Sequence, residues 1–280
     1  MRLYFCGTRG STPAPGPDFI RYGGHTSCVA VARDDDQVPT LILDAGTGLR
    51  QVTPLLAGRP FAGTILLTHL HWDHVHGLPF FRGGDTEGAT VTLLLPEQED
   101  GAGAEAVLER GMSPPHFPIR PGDLRGTWTF GTFAPGHYAT GGFEIEAREI
   151  PHKGGTTFGY RVSDGRSVFA YLPDHCPTLL GPGPDGWGEY HTAATTLAKD
   201  ADVLVHDASL LPEELPAEAS FGHSAADYAV GLAEAAGARH AVLFHHRPDR
   251  VDEELDQLGR RLSGRPLPVT VAAEQGILGL

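Results

Sequence analysis

Four side chains of the kind that bind metal ions fall within six positions: His69, His71, Asp73 and His74, in the run Thr68-His69-Leu70-His71-Trp72-Asp73-His74. The run follows the apolar segment Ile65–Leu67, which reads as a strand. Side chains of an extended chain repeat every second residue, so His69 and His71 point the same way. Two imidazoles converging on one point can hold a zinc ion. Asp73 and His74 come where the chain turns and aim at a second point close by, so one short loop serves two metals. A solvated polar turn is the alternative, and the density of ligand types weighs against it. Imidazole with carboxylate suits zinc, whereas an all-oxygen set would suit magnesium or calcium.

Such a loop has to be carried by a scaffold, and the rest of the chain supplies short strands broken by glycine and proline. Leu3–Cys6, Cys28–Ala32, Thr40–Leu43, Ile65–Thr68 and Val91–Leu95 read as strands, and Glu105–Arg110 as a short helix. Thr127–Phe133 and Phe143–Ile150 read as strands around a glycine-rich turn. Thr157–Val162 and Ser167–Leu172 read as a hairpin turning at Ser163–Arg166. Beyond this the pattern changes to helix–strand alternation. Tyr190–Lys199 and Ser224–Ala236 are alanine-rich and helical, each preceding an apolar strand, Val203–His206 and Ala241–Phe244. Arg250–Leu262 is amphipathic, with Val251, Leu255, Leu258 and Leu262 at helical spacing, and a terminal strand, Pro268–Ala272, follows. The pattern predicts two sheets flanked by helices.

Composition narrows the class of function. The 280 residues carry 21 Lys plus Arg against 35 Asp plus Glu, a formal net charge of −14. That excess of acid opposes binding to a large polyanion or to anionic lipid. Three cysteines, Cys6, Cys28 and Cys176, form no close pair, which argues against a disulfide framework or a thiolate zinc site. Apolar runs such as Val91–Leu95 are too short to span a membrane. No basic segment followed by an apolar run opens the chain. The expectation is a cytoplasmic protein with no membrane partner.

The His69–His74 run resembles the signature of the metallo-β-lactamase superfamily, and the resemblance extends over nearly the whole chain. Leu41-Ile42-Leu43-Asp44-Ala45-Gly46-Thr47-Gly48 is similar to the strand–Asp–Gly segment ahead of the family's metal loop. Ile150-Pro151-His152 is similar to its next ligand, Tyr171-Leu172-Pro173-Asp174 to its bridging aspartate, and Phe244-His245 to its last ligand. The resemblance implies an α/β protein with the four-layer αββα sandwich, a single domain over residues 1–280. It implies one zinc held by His69, His71 and His152, a second held by Asp73, His74 and His245, and Asp174 between them. Manganese or iron are the alternatives to the two zinc ions. His175 and His246 stand beside two of these ligands as competitors. His245 is preferred because it directly follows the Val242–Phe244 strand.

Phe221-Gly222-His223-Ser224 resembles the phosphodiesterase branch typified by ribonuclease Z. There a Gly-His-Ser/Thr segment places a histidine over the scissile phosphate. His223 is then the expected general acid. His206-Asp207-Ala208 is similar to the acidic segment that orients that histidine, which gives Asp207 its expected role; Asp73 would also help orient the nucleophile. Bacterial ribonuclease Z carries a long tRNA-gripping arm between its third histidine ligand and its bridging aspartate. Here His152 and Asp174 are 22 positions apart, most of them in the hairpin. A small substrate is therefore expected. Gly7-Thr8-Arg9-Gly10-Ser11-Thr12-Pro13, Arg21-Tyr22-Gly23-Gly24-His25-Thr26-Ser27-Cys28, Gly77-Leu78-Pro79-Phe80-Phe81 and Phe244-His245-His246-Arg247-Pro248 resemble a ribonuclease-Z-like subgroup. Some of its members degrade cyclic nucleotides. His25 and Lys153 depart from that subgroup's pattern. The resemblance implies a dinuclear zinc phosphodiesterase acting on a small phosphodiester such as a 3′,5′-cyclic nucleotide, with homodimerisation as a common companion. The alternatives are a lactonase or thioesterase and an RNA 3′-processing endonuclease. Cys176–Gly188, with Trp187, reads either as a lid or rim of the site or as a surface loop.

Overall fold

The computed structural model describes residues 1–280. In chain order the first sheet begins with β1 (Arg2–Gly7), β2 (Cys28–Ala32), β3 (Leu41–Leu43), β4 (Ala62–Leu66), β5 (Thr90–Pro96) and β6 (Thr127–Phe133). The second contains β7 (Gly136–Thr140), β8 (Phe143–Glu149), β9 (Phe158–Ser163), β10 (Val168–Leu172), β11 (Val203–Asp207), β12 (Ala241–Phe244) and β13 (Val269–Val271). The chain then returns to the first sheet as β14 (Ile277–Gly279), beside β1. The strand orders are β14-β1-β2-β3-β4-β5-β6 and β13-β12-β11-β10-β9-β8-β7. Each sheet is antiparallel on one side and parallel on the other. The neighbours β3 to β6 run parallel in the first sheet, and β10 to β13 in the second.

Three apolar cores separate the layers. Leu3, Phe5, Val31, Phe133, Tyr160, Phe169, Tyr171 and Phe244 are among the buried side chains between the two sheets. Outside the first sheet, Ile42, Ile65, Val91 and Leu93 pack with Val52 and Leu108 of the short helices Val52–Leu55 and Ala104–Glu109. Outside the second, Leu204 and Leu243 pack with Leu197, Tyr228, Val230 and Leu258. Those residues sit on the helices Thr192–Ala198, Ala226–Ala235 and Asp252–Leu262. The result is the expected helix–sheet–sheet–helix sandwich. The helix Asp252–Leu262 shows why its segment folds this way. Leu255, Leu258 and Leu262 are buried, Asp252, Glu253 and Glu254 occupy its first turn and Arg260 and Arg261 its last, as the helix dipole favours. No helix is long and apolar enough to cross a membrane.

The sequence pattern misplaced two features. Thr127–Phe133 and Phe143–Ile150 do not pair across a turn. The first is the edge of sheet one, and β7 stands before β8 as its antiparallel partner. Nor is the strand near residue 270 the last, since β14 follows. Both missed strands lie at sheet edges with half-exposed side chains, so they carry little hydrophobic signal. The hairpin is as expected, Val168 pairing with Ser163.

Candidate metal centre

Strand ends converge at one rim of the sandwich, where the carboxyl ends of parallel strands leave backbone free to turn. β4 delivers the His69–His74 loop, β8 runs to His152, β10 to Asp174, β11 ends on Asp207, and β12 hands over to His245. Ligand-type atoms of His69, His71, His152 and Asp174 lie within 4.8 Å of one another, and so do those of Asp73, His74 and His245. These are the two sets expected from the resemblance. Asp174 lies between them, its Oδ1 2.9 Å from His74 Nε2 and 3.1 Å from His245 Nε2, its Oδ2 3.4 Å from His152 Nε2. His245 Nε2 is also 3.1 Å from Asp73 Oδ2 and 3.3 Å from His74 Nε2. Asp174, His223 and His245 form a third grouping of the same tightness, which puts His223 at the edge of the ligand set.

The donor set fits divalent cations. His69 Nε2 and Asp174 Oδ1 are buried without a hydrogen-bond partner, an expensive state for polar atoms unless something else binds them. Burial pushes His69, His71 and His152 toward the neutral imidazole, the form that ligates metal. Burial also disfavours charge on His74, yet Asp174, Asp44 and Asp73 hold it well above the usual histidine value. Burial likewise opposes charge on Asp73 and Asp174, and the surrounding histidines hold both carboxyls well below the usual range. Several buried carboxylates gathered among imidazoles are a hole for positive charge.

Outer contacts orient the rings. Asp44, at the end of β3 with φ of 60°, is fully buried and accepts from Thr68 N at 2.8 Å, Thr68 Oγ1 at 2.9 Å and Tyr171 Oη at 3.0 Å. Its Oδ2 lies 2.9 Å from His74 Nδ1, off the line of a full hydrogen bond. His152 Nδ1 donates to the Gly222 carbonyl at 2.7 Å, leaving Nε2 turned to the cluster. Ser11 N–H donates to Asp73 Oδ2 at 2.7 Å. His245 has φ of 57°, an uncommon backbone state of the sort found at functional sites. Gly10 clears its ring, because a Cβ there would stand 2.3 Å from it. Sequence reading assigned no duty to Asp44, Ser11 or Gly10. The Asp44 and Gly10 signals were present, an acid at a strand end and a glycine in a signature loop, but their partners are remote in the chain.

His223 Nδ1 donates to Asp207 Oδ2 at 3.0 Å. Asp207 is fully buried and also accepts from the backbone N–H groups of His175 at 3.1 Å, Ser209 at 2.9 Å and Ser224 at 3.3 Å. Burial disfavours the His223 imidazolium, but Asp207, with Asp174 and Asp73, outweighs it and lifts the pKa to about 9. His223 therefore carries a proton to give. His71, Asp73, His152, Asp174 and His223 all line one cleft of about 970 Å³, walled by Ser11–Pro15, Phe19, Trp72 and Phe221. Its only arginine or lysine is Arg247, already bonded to Glu218 and Asp249 at 2.6 Å each.

The remaining singled-out residues stand elsewhere. No residue of Cys176–Gly188 lines the cleft, and Trp187 packs on the helical core instead. His246 is fully buried, and its Nε2 donates to Ala272 O at 2.8 Å. His25 is held by Glu274, 3.0 Å from Nδ1, and Lys153 Nζ donates to Ser220 O at 3.1 Å. His175 faces away from the cluster, toward His206 and His191.

A four-layer sandwich with two His/Asp clusters on one rim defines a class, and the chain belongs to it. The family model described as "Beta-lactamase superfamily domain" matches residues 40–246. The protein is a metallo-β-lactamase-fold, metal-dependent hydrolase. Ribonuclease Z of Salinibacter ruber is 29% identical over 279 residues, covering 82% of this chain and 83% of the relative. The short form of human tRNase Z shares the fold with a TM-score of 0.68 at 19% identity, covering 100% of this chain and 99% of that one. Zn(2+)-bound PqqB from Methylobacterium extorquens does so with a TM-score of 0.65 at 18% identity, over 100% of both chains.

Proposed function

We propose that the protein is a dinuclear zinc phosphodiesterase acting on a small phosphodiester, with 3′,5′-cyclic nucleotides as the leading substrates. His69, His71 and His152 would hold one ion, Asp73, His74 and His245 the other, and Asp174 both. The fully nitrogen- and carboxylate-lined set supports zinc, and a neighbour of the same fold binds it. Bound in pairs, such ions supply an activated water and offset charge on the phosphoryl oxygens. The chain's own residues do the rest. The cleft walls orient the ester, and Asp73, fixed by Ser11 N–H, keeps one face of the cluster in register. His223 stands at the cluster's edge with its Nδ1 proton on Asp207, so its Nε2 proton is free to pass to the departing alkoxide.

The observation that carries the reading is the His223–Asp207 pair in the same cleft as both ligand groups. A thioester expels a thiolate, which leaves without a proton, whereas a phosphodiester expels an alkoxide, which calls for a donor at that edge. Two features favour a small substrate. The stretch between His152 and Asp174 is consumed by β9 and β10, leaving no length for an arm. The cleft's one arginine is already paired with carboxylates, which suits a singly charged diester better than a polyanion.

RNA 3′ processing is the second reading, favoured by the ribonucleases Z among the relatives. One experiment separates the two. Zinc-loaded protein is given 3′,5′-cyclic AMP, GMP, CMP and UMP, bis-p-nitrophenyl phosphate and a precursor tRNA with a 3′ trailer, with Asp73→Ala as the blank. Linear monophosphates from the parent alone support the cyclic-nucleotide reading. Trailer removal without them moves the function to RNA. No product from any phosphodiester overturns both. Replacing His223 by Ala is expected to leave metal content intact and lower turnover by ~10²–10⁴-fold, the usual share of a general acid.

A further inference from the structure

Behind Asp207, on the side away from the cleft, three imidazoles stand in line. None lines the cleft, none belongs to either ligand group, and the proposed chemistry uses none of them. His206 Nδ1 lies 2.7 Å from the carbonyl oxygen of Asp207. His175 Nδ1 lies 2.9 Å from His206 Nε2, and His191 Nε2 lies 2.7 Å from His175 Nε2. A carbonyl only accepts, so His206 carries its proton on Nδ1 and its Nε2 is an acceptor. His175 must then donate from Nδ1 and accept at Nε2, and His191 must donate from Nε2. Each ring has one tautomer, and every bond runs the same way, from the half-exposed His191 inward to Asp207. The Tyr228 ring packs on both inner imidazoles, at 5.5 and 5.6 Å between centroids.

His175 also grips the site with its backbone. Its N–H donates to Asp207 Oδ2 at 3.1 Å, and its carbonyl accepts from Ser224 Oγ at 2.7 Å. It follows Asp174 directly, so one residue ties together the Asp174 turn, the Asp207 carboxylate and the segment bearing His223. The chain of rings is not a proton path to His223, because it ends on a carbonyl oxygen. Nor is it a metal site, since the facing nitrogens are taken up pairwise in hydrogen bonds.

We propose that His206, His175 and His191 are positioning residues, a line of hydrogen-bonded rings that fixes Asp207 and, through it, the aim of His223 at the leaving group. The proposal rests on His223 being the proton donor of the phosphodiesterase reading. An apolar ring at position 206 would fill the same space, but it would free the Asp207 carbonyl and leave His175 Nδ1 without an acceptor.

The test uses the dependence on the leaving group, which a merely structural role would not move. Full-length, zinc-loaded parent, His206→Phe, His206→Gln, His191→Phe and His223→Ala are compared on bis-p-nitrophenyl phosphate and on diphenyl phosphate. Phenoxide is the more basic leaving group and depends more on a proton donor. Expected for His206→Phe are full zinc content, unchanged KM and nitrophenyl turnover within about two-fold of the parent. Its kcat on diphenyl phosphate should fall at least ~10-fold, a part of the ~10²–10⁴ that a general acid supplies. His206→Gln, which keeps an acceptor for His175, should recover most of the loss, and His223→Ala should show the same selectivity in larger degree. Equal losses on both substrates, or none, overturn the positioning role while leaving the acid intact, provided His223→Ala remains selective. If His223→Ala is not selective, the acid reading falls and takes this proposal with it. Should His206→Phe lose metal or fail to fold, His191→Phe at the outer end decides, selectivity supporting the chain and its absence overturning it.

Discussion

Replacing Asp44 by Asn is the most informative perturbation of this centre, because it removes one charge and almost no volume. Asp44 touches no expected metal position; it acts on His74 from behind, 2.9 Å from Nδ1. Asn accepts the left-handed backbone at φ of 60°, and Tyr171 Oη can rotate to accept from the new amide. The fold should survive with a loss of ~1 kcal/mol, the net worth of about one hydrogen bond. His74 is affected more. The carboxylate favours the proton on Nδ1, which keeps Nε2 free to ligate; an amide N–H facing Nδ1 favours the opposite tautomer and blocks Nε2. Contacts with a charged partner are worth ~1.5–3 kcal/mol. This one lies off the hydrogen-bond line, so the lower end applies, which is a roughly ten-fold weaker metal affinity at ~1.4 kcal/mol per decade. Competition against a chromophoric chelator measures it, with thermal melting of the metal-free protein as the control for fold. Affinity within two-fold of the parent, at unchanged melting, would refute the idea that Asp44 sets the His74 tautomer.

Three further outcomes are expected. Ser11, at φ of 60°, gives its N–H to Asp73 Oδ2; Ser11→Gly, which keeps that N–H and adopts a positive φ freely, should leave turnover at saturating substrate unchanged, and a loss there would show that the hydroxyl and not the backbone serves the site. Arg9 is fully buried and donates to the carbonyls of Gly23 at 2.7 Å and Arg250 at 2.6 Å, so Arg9→Met should cost ~3–5 kcal/mol in urea unfolding, as removal of one member of a buried polar network does. Burial, aided by Arg9, His245 and Arg250, pushes the His246 pKa down to about 3. Against ~6.5 when unfolded, the unfolded chain binds the extra proton. Stability should therefore decline as pH falls from about 6.5 toward 3, and the urea midpoint of His246→Gln should decline less steeply than the parent's.

The Asp44 and His246 cases mark the limit of reading in one dimension. Short-range patterning made His69, His71, Asp73 and His74 legible, because a strand end fixes where alternate side chains point. It also made the helices at residues 192–198, 226–235 and 252–262 legible, through alanine content and apolar spacing. His152 and Asp174 come from likeness to a family, with nothing local to set Asp174 apart from His175, one residue away; His245 is favoured over His246 by that likeness and by its place directly after a strand. That choice is made by which way a strand end turns. His245 faces the cluster through a left-handed backbone with Gly10 giving it room, while His246 points at Ala272 and His175 at His206.

By itself, the sequence determined the two-sheet layering and the metal-binding character of one loop, which rest on patterns within a few positions of one another, and the acidic net charge, which is a sum over composition. Only the tertiary structure decided the parallel half of the first sheet, the edge strands β7 and β14, the wall built by Ser11–Pro15 and Phe19, and the backing of the centre by Asp44 and the three histidines. Those features arise from contacts between residues tens to hundreds of positions apart, where burial turns a weak polar contact into a strong one, and no local pattern encodes which buried groups will meet.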